Sequence, residues 1–347
     1  MVKKIGYYII PLLVFFSLDV VVAHGVSPAE RRLNSPSHIA GFASDVIPNE
    51  LTDTHWSGDS LVVYERVVSG YAHAISVYGR DGKQKFGVPF SIDGAADIHI
   101  SDAALAADGS VVVAAGSRGK DDTISNFIAH IGKDGKLLDI VRTTPYVVRM
   151  VCPIADGTVW TAGFERDEKL RSVKQYEILR QYSFKTGLVA SALDASKMAH
   201  PADWPMYFPV GMYPWETALR ATSKTLGFYS GPSNEWITLD LTTHEVRREP
   251  VKALGKGEQL TGFAMTESGQ VFASIEVAGK NPSLGLFELV ADQSGVRSWL
   301  PVRGTLRTAD AAGDLTFTRL LGSTGNQIVY FPEAYPSTTV HWSTVAH

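Results

Sequence analysis

Asp53, His55, Asp97 and His99 open inner apolar runs, and Asp97 with His99 places a carboxylate and an imidazole two positions apart. In an extended strand the spacing of Asp97 and His99 puts both side chains on one side, which allows shared ligation of a metal ion. Two ligands do not make a site. Arg149, Glu216 and Arg319 join this set, because each opens an apolar run as those residues do. Gathered around one axis, such groups form either a polar ligand pocket or a solvated channel with internal ion pairs. The only cysteine, Cys152, lies within the apolar run 147–154 and reads as a small buried hydrophobe. It leaves no intrachain disulfide and no thiolate metal site. HExxH, GxSxG and calcium-loop patterns are absent, and the stretch 116–121 lacks the hydroxyl residue of a phosphate-binding loop.

The elements that must position these residues recur along the chain. Each unit is an apolar run, a tight turn and a second apolar run. The turns centre on Gly58, Gly109, Gly157, Lys224, Gly269 and Gly325. Asp-Gly pairs at two of them suit a two-residue hairpin turn, because glycine accepts positive φ at no cost. A second hairpin falls between successive anchors, as at residues 75–83, 127–136, 178–187, 236–244 and 286–295. A β unit of four strands repeating at intervals of 45 to 67 residues predicts an all-β, six-bladed β-propeller of four-stranded antiparallel blades. The last unit runs out of chain after residues 338–342, so a strand from residues 37–46 is expected to complete it and remove an exposed edge.

In such blades the first and third turns lie on one face, and the second loop and the crossover lie on the other. The short Asp-Gly turns fall on the first. The long segments 117–126, 164–175, 195–215 and 302–314 are second loops or crossovers and gather at the other mouth of the channel. Residues 195–215 stand out, with Trp204, Tyr207, Phe208, Tyr213 and Trp215 among four prolines. They read either as an aromatic platform for a ligand or as a plug packed into the channel.

Residues 1–23 read as a signal peptide: Lys3 and Lys4, then an apolar core, then Val21-Val22-Ala23. The expected organisation is signal peptide 1–23, N-terminal segment 24–50 and propeller 51–347, with a periplasmic or secreted location and no membrane span after cleavage. A formal charge of −4, with no basic run longer than two residues, argues against nucleic-acid binding.

Residues 155–162, Ala-Asp-Gly-Thr-Val-Trp-Thr-Ala, and their cousin 107–111 resemble the blade-opening hairpin of NHL-type and SMP-30-like six-bladed propellers. The turn Gly132–Lys136 is similar to the outer hairpin of those proteins. The resemblance spans the repeat pattern from about residue 50 to 342 and covers lactonases, lyases and exported proteins of no assigned activity. SMP-30-like lactonases hold a divalent cation through Glu, Asn and Asp at the channel mouth. Glu216 with Asp53 or Asp97 fits two of these places, and no asparagine opens an inner strand. The expectation is an exported binding scaffold. Its long-loop face would meet a small molecule or an envelope protein through Trp204, Tyr207, Phe208, Trp215, Asp97, His99, Arg149, Glu216 and Arg319. No cofactor is predicted. The alternative is a lactonase or lyase with a polar pocket or a divalent cation at the mouth.

Overall fold

The tight turns close by one piece of local chemistry. Asp108, Asp156 and Asp292 each accept, through Oδ1, the amide two residues on, at 2.9, 2.8 and 2.8 Å. This bond needs a left-handed residue nearby, and Gly109 and Gly157 supply it at φ 82° and 81°. A computed structural model describes residues 31–43, 46, 52–68, 74–167, 169, 171, 173–198, 218–231, 233–277, 283–303, 319–332 and 338–346.

The turns join strands into six antiparallel blades. Blade 1 holds Thr52–Ser57, Ser60–Glu65, Ile75–Tyr78 and Gln84–Val88. Blade 2 holds Ala95–Leu105, Val111–Gly119, Ile124–Ile131 and Leu137–Arg142. Blade 3 holds Tyr146–Pro153, Val159–Glu165, Glu177–Ser183 and Gly187–Asp194. Blade 4 holds Arg220–Ala221, Thr225–Ser230, Glu235–Asp240 and Val246–Pro250. Blade 5 holds Glu258–Met265, Val271–Val277, Ser283–Ala291 and Arg297–Pro301. Blade 6 takes Arg319–Thr324, Gln327–Phe331 and Thr339–Ser343 from the C-terminal part and His38–Gly41 from the N-terminal part.

First strands neighbour one another around the axis at the seams between blades 2 and 3, 4 and 5, 5 and 6, and 6 and 1, and at the seam between blades 1 and 2 the second strand of blade 1 lies against the first strand of blade 2. At the seam between blades 5 and 6 the approach is close enough that a Cβ on Gly262 would lie 2.0 Å from the Leu320 carbonyl oxygen. Apolar residues on both faces of each blade are buried against the next blade. The core is therefore six wedges rather than one centre. Trp160 and Phe228 fill the wedge between blades 3 and 4. Tyr64 and Phe127 lie between blades 1 and 2. Trp56 and Trp342 lie between blades 6 and 1, their rings edge to face at 5.1 Å.

The ring is tied at that last seam. His38 pairs with Trp342 and Gly41 with Thr339. Phe42 and Val46 join the same apolar wedge, and Thr54 Oγ1 donates to the Val46 carbonyl at 2.8 Å. A second tie lies further out. Arg32–Leu33 pairs with Val345–Ala346. Arg31 reaches the buried Glu288 of blade 5, Nε to Oε2 at 2.7 Å.

Two elements depart from expectation. Residues 117–126, read as a loop, are strand except at a four-residue turn: Ser117 pairs with Ser125 and Arg118 with Ile124. There Asp121 accepts the Thr123 amide at 3.2 Å, and Asp122 takes a left-handed φ of 65° and binds Arg118. Blade 2 also gains a fifth strand, Val67–Val68, on the inner edge of Ala95–Leu105. It extends from the second strand of blade 1, crosses to the neighbouring blade and gives the long first strand a partner.

Candidate functional site

The start of each first strand lies opposite the end of the second: Thr52 pairs with Glu65, Tyr146 with Glu165 and Arg319 with Phe331. One mouth of the channel therefore collects two sets of residues, those opening first strands and those just past second strands. The second set contains a repeat. Tyr64-Glu65-Arg66 of blade 1 and Phe164-Glu165-Arg166 of blade 3 occupy the same register.

Asp53 is buried and held from three sides. Its Oδ1 accepts the Thr54 amide at 2.8 Å. Arg66 Nη2 lies 3.1 Å from Oδ2 and Arg319 Nη2 lies 3.7 Å from Oδ1. These pairs link blades 1 and 6. Asp102 repeats the arrangement one blade on, with Oδ1 accepting the Ala103 amide at 2.9 Å. Its Oδ2 accepts the Val151 amide of blade 3 at 2.8 Å. Burial pushes the Asp102 carboxyl up to about 6, against the pull of those amides and of Arg220.

His55 lies two residues along from Asp53. Burial, and then Arg220, bring its imidazole down to about 3, against Asp53 and a backbone hydrogen bond to Ala103. It is neutral at pH 7, and its Nε2 is buried without a partner. Arg149 is the extra residue of a bulge between Val148 and Met150. Burial lowers its guanidinium to about 10; Tyr64 and Asp102 oppose this, while Arg166 and Arg66 add to it. Arg166 lies over the Phe164 ring at 5.2 Å, with Nε buried and unpartnered. Arg220 of blade 4 donates from Nη1 to the Leu219 carbonyl at 3.2 Å, and its Nε is likewise buried without a partner. Arg220 acts electrostatically on His55, Asp102 and Cys152, which belong to blades 1, 2 and 3. Burial pushes the Cys152 thiol up to about 12, so it is no nucleophile at neutral pH.

Of the residues singled out from sequence, Asp53, His55, Arg149 and Arg319 come together here. Asp97 and His99 do not join them. Their side chains, 39% and 62% exposed, lie 3.7 Å apart on the outer part of the eleven-residue first strand of blade 2. Asp102 holds the place in blade 2 that Asp53 holds in blade 1. No group of three metal-ligating side chains occurs among the described residues. Trp204, Tyr207, Phe208, Trp215 and Glu216 lie outside the described residues. Arg66, Arg166, Arg220 and Asp102 were not anticipated. The Glu-Arg repeat after the second strands of blades 1 and 3 is the signal that could have found two of them.

A second cluster imitates a hydrolytic triad on the opposite side of the molecule. Ser110 Oγ lies 2.7 Å from His130 Nε2, and His130 Nδ1 lies 3.9 Å from Asp139 Oδ2. The Ser110 hydroxyl, however, donates to Asp108 at 2.5 Å, so His130 is the donor to Ser110 rather than its base. Gln181 stands in the register of His130 and donates to Thr158 at 2.8 Å in the same way. The cluster locks a turn.

The strand order defines the class of protein: a six-bladed β-propeller with a charged channel mouth. No family model matches the chain, and no curated protein matches it in sequence. Solved structures similar to it include a protein of unknown function from Bacteroides caccae, 12% identical, with TM-score 0.44, 78% of this chain and 92% of that one covered. A candidate exported protein from Bacteroides fragilis is 10% identical, with TM-score 0.46 and coverage of 88% and 84%. A glucose dehydrogenase is 10% identical, with TM-score 0.42 and coverage of 89% and 99%. Likenesses this distant carry no functional argument. No helix among the described residues is long and apolar enough to cross a membrane.

Proposed function

We propose that this chain is an exported binding propeller that holds a small molecule at the channel mouth on its long-loop face. One observation carries the reading: three nitrogens at the mouth, His55 Nε2, Arg166 Nε and Arg220 Nε, are buried without partners among the described residues. An unsatisfied buried polar group costs about 1–3 kcal/mol, and a bound molecule that supplies the partners recovers it. Export rests on the leader-like residues 1–23. Trp204, Tyr207, Phe208, Trp215 and Glu216, in the crossover between blades 3 and 4, remain contact residues of the proposal.

The test is thermal unfolding of the purified protein against a panel of small neutral, cationic and anionic metabolites. The expected result is a saturable rise in Tm with at least one class, lost in a folded Arg220→Gln variant. A panel in which no class stabilises the protein would remove the proposal and leave the envelope-protein partner as the reading to pursue by cross-linking.

A further inference from the structure

We infer that a second copy of this chain docks on the outer edge of blade 2, strand Leu137–Arg142 pairing with its own counterpart about a two-fold axis at Ile140.

The outermost strand of a blade turns one row of backbone N–H and C=O groups away from the sheet. Such a row is a template for another strand, and proteins blunt it with lysine, proline, a bulge or a cover. Five of the six outer strands are blunted. In blade 1 the exposed Lys85 stands in the strand, its Nζ 2.8 Å from Ser60 Oγ. Blade 4 carries Arg247, Arg248 and Pro250. Blade 5 ends in Pro301, and the Lys252 amide takes its Arg297 carbonyl at 2.7 Å. Blade 6 supplies only His38–Gly41, and Gly82 of blade 1 closes on the Gly41 carbonyl. In blade 3 the outer strand bulges opposite Gln181 and Tyr182 and turns left-handed at Leu193, φ 68°. Blade 2 is different. Its outer strand, Leu-Leu-Asp-Ile-Val-Arg, holds neither lysine nor proline, and Leu137, Leu138 and Ile140 are exposed by 43%, 52% and 39%. Its one bulge leaves Leu138 unmatched at the turn end and keeps 139–142 in regular register with 127–130. Leu188 and Val189 of blade 3 are exposed as well, and His130 stacked on Phe184 at 4.9 Å joins the two blades. They widen the apolar rim that a second molecule covers.

The strand's own sequence selects its mate. The Thr143 amide donates to the Asn126 carbonyl at 2.8 Å. By alternation the backbone groups of Asp139 and Val141 turn inward, and those of Ile140 and Arg142 turn outward. No further strand lies beyond this one among the described residues. A two-fold axis normal to the sheet pairs residues that share a face. With the axis at Ile140, the two isoleucines exchange both backbone bonds and their side chains meet. Arg142 then lies opposite Leu138 of the second copy, its aliphatic stem over the leucine, and Asp139 lies opposite Val141. No charge faces its like. An axis at Asp139 would set carboxylate on carboxylate, and one at Arg142 guanidinium on guanidinium, both unfavourable. An axis at Val141 would centre a residue already packed into the wedge towards blade 3 and part the exposed isoleucines.

A single strand edge makes a small interface, so the dimer is expected to form at roughly 10–100 μM rather than at nanomolar concentration. Sedimentation velocity from about 1 to about 500 μM spans that range and should show a reversible monomer–dimer equilibrium. Ile140→Lys sets a cation on its own copy and should stay monomeric throughout, with an unchanged circular dichroism spectrum. If that variant does not fold, Leu138→Lys at the more exposed position replaces it. Ile140→Cys should give a disulfide-linked dimer under copper phenanthroline. Leu137→Cys should not, because this register holds its two copies roughly 20 Å apart at about 3.3 Å per residue. Cys152 is buried and stays out of the reaction. A monomer at every concentration would overturn the inference and leave the edge to an extended segment of another protein. A dimer that survives the lysine variant, or that cross-links through Leu137→Cys as readily as through Ile140→Cys, would overturn it by placing the contact elsewhere. None of these outcomes bears on the small-molecule reading of the channel mouth.

Discussion

His55 and Asp102 are buried at one mouth with titrations displaced in opposite senses, and stability should report both. His55 titrates at 6.5 when unfolded and about 3 when folded. Between those values the unfolded chain binds the extra proton, so this group's stabilisation is full above pH 6.5 and falls as pH drops towards 3. By pH 4 the loss is roughly 3 kcal/mol at about 1.4 kcal/mol per pH unit. Asp102 titrates at 3.8 unfolded and about 6 folded. Here the folded chain binds the extra proton, so stability is full below pH 3.8 and falls as pH rises through 6, by roughly 2–3 kcal/mol between pH 4 and 7. In the unaltered protein the two effects nearly cancel over that range. His55→Gln removes one slope: on going from pH 7 to pH 4 this variant should lose roughly 3 kcal/mol less than the parent. Asp102→Asn removes the other and should lose roughly 2–3 kcal/mol more. Surface carboxylates such as Asp108 and Asp292, held low by side-chain hydrogen bonds, also weaken the fold in acid, but equally in all three proteins. Urea unfolding at pH 4, 5, 6 and 7 measures the differences. Deviations of the same sign in both variants, or none in either, would refute the assignment of these two groups as buried and oppositely displaced.

Other outcomes follow from the packing. Phe42→Ala, which empties the wedge where the N-terminal segment meets blades 6 and 1, should cost about 3–5 kcal/mol in urea unfolding. Gly262→Ala drives a Cβ to 2.0 Å from the Leu320 carbonyl and should cost about 1–3 kcal/mol or prevent folding. His130→Gln copies the turn lock of blade 3 and should stay within about 1 kcal/mol of the parent in the same assay. Cys152 should resist an aromatic disulfide reagent at pH 8 and react at once in denaturant, because its buried thiol stays protonated.

The blade count was legible because its signal is local. An Asp that accepts an amide across a left-handed glycine closes its turn whatever surrounds it. Asp108-Gly109 and Asp156-Gly157 therefore mark hairpins in the bare sequence. The site was legible only in part. Asp53, His55, Arg149 and Arg319 were reached by asking which polar residues open first strands. That question fails in blade 2, where Val67–Val68 lends a partner edge and the first strand begins early, at Ala95. Asp97 and His99 then lie too far out, and a bulge between Ile100 and Asp102 brings Asp102 to the mouth instead. In blade 4 the first strand is Arg220–Ala221, and Glu216, the residue chosen there from the sequence, lies outside the described residues. Arg66 and Arg166 end strands rather than open them, so they were passed over. Bulges and cross-blade pairings depend on neighbours distant in sequence and leave no local mark.

Closure of the ring by His38–Gly41 has a consequence for the order in which the molecule is assembled. That strand is made some three hundred residues before its partner, Thr339–Ser343. Joining ends some three hundred residues apart costs roughly 5 kcal/mol of chain entropy. The intervening blades reduce that cost only once they have stacked in sequence. Until then the early strand has no mate, and the free side of Thr339–Ser343 remains open to any extended segment that reaches it first. Sealing the circle is thus a late, all-or-none event, and a kinetic trap at that point would yield chains that exchange strands with one another instead of closing on themselves.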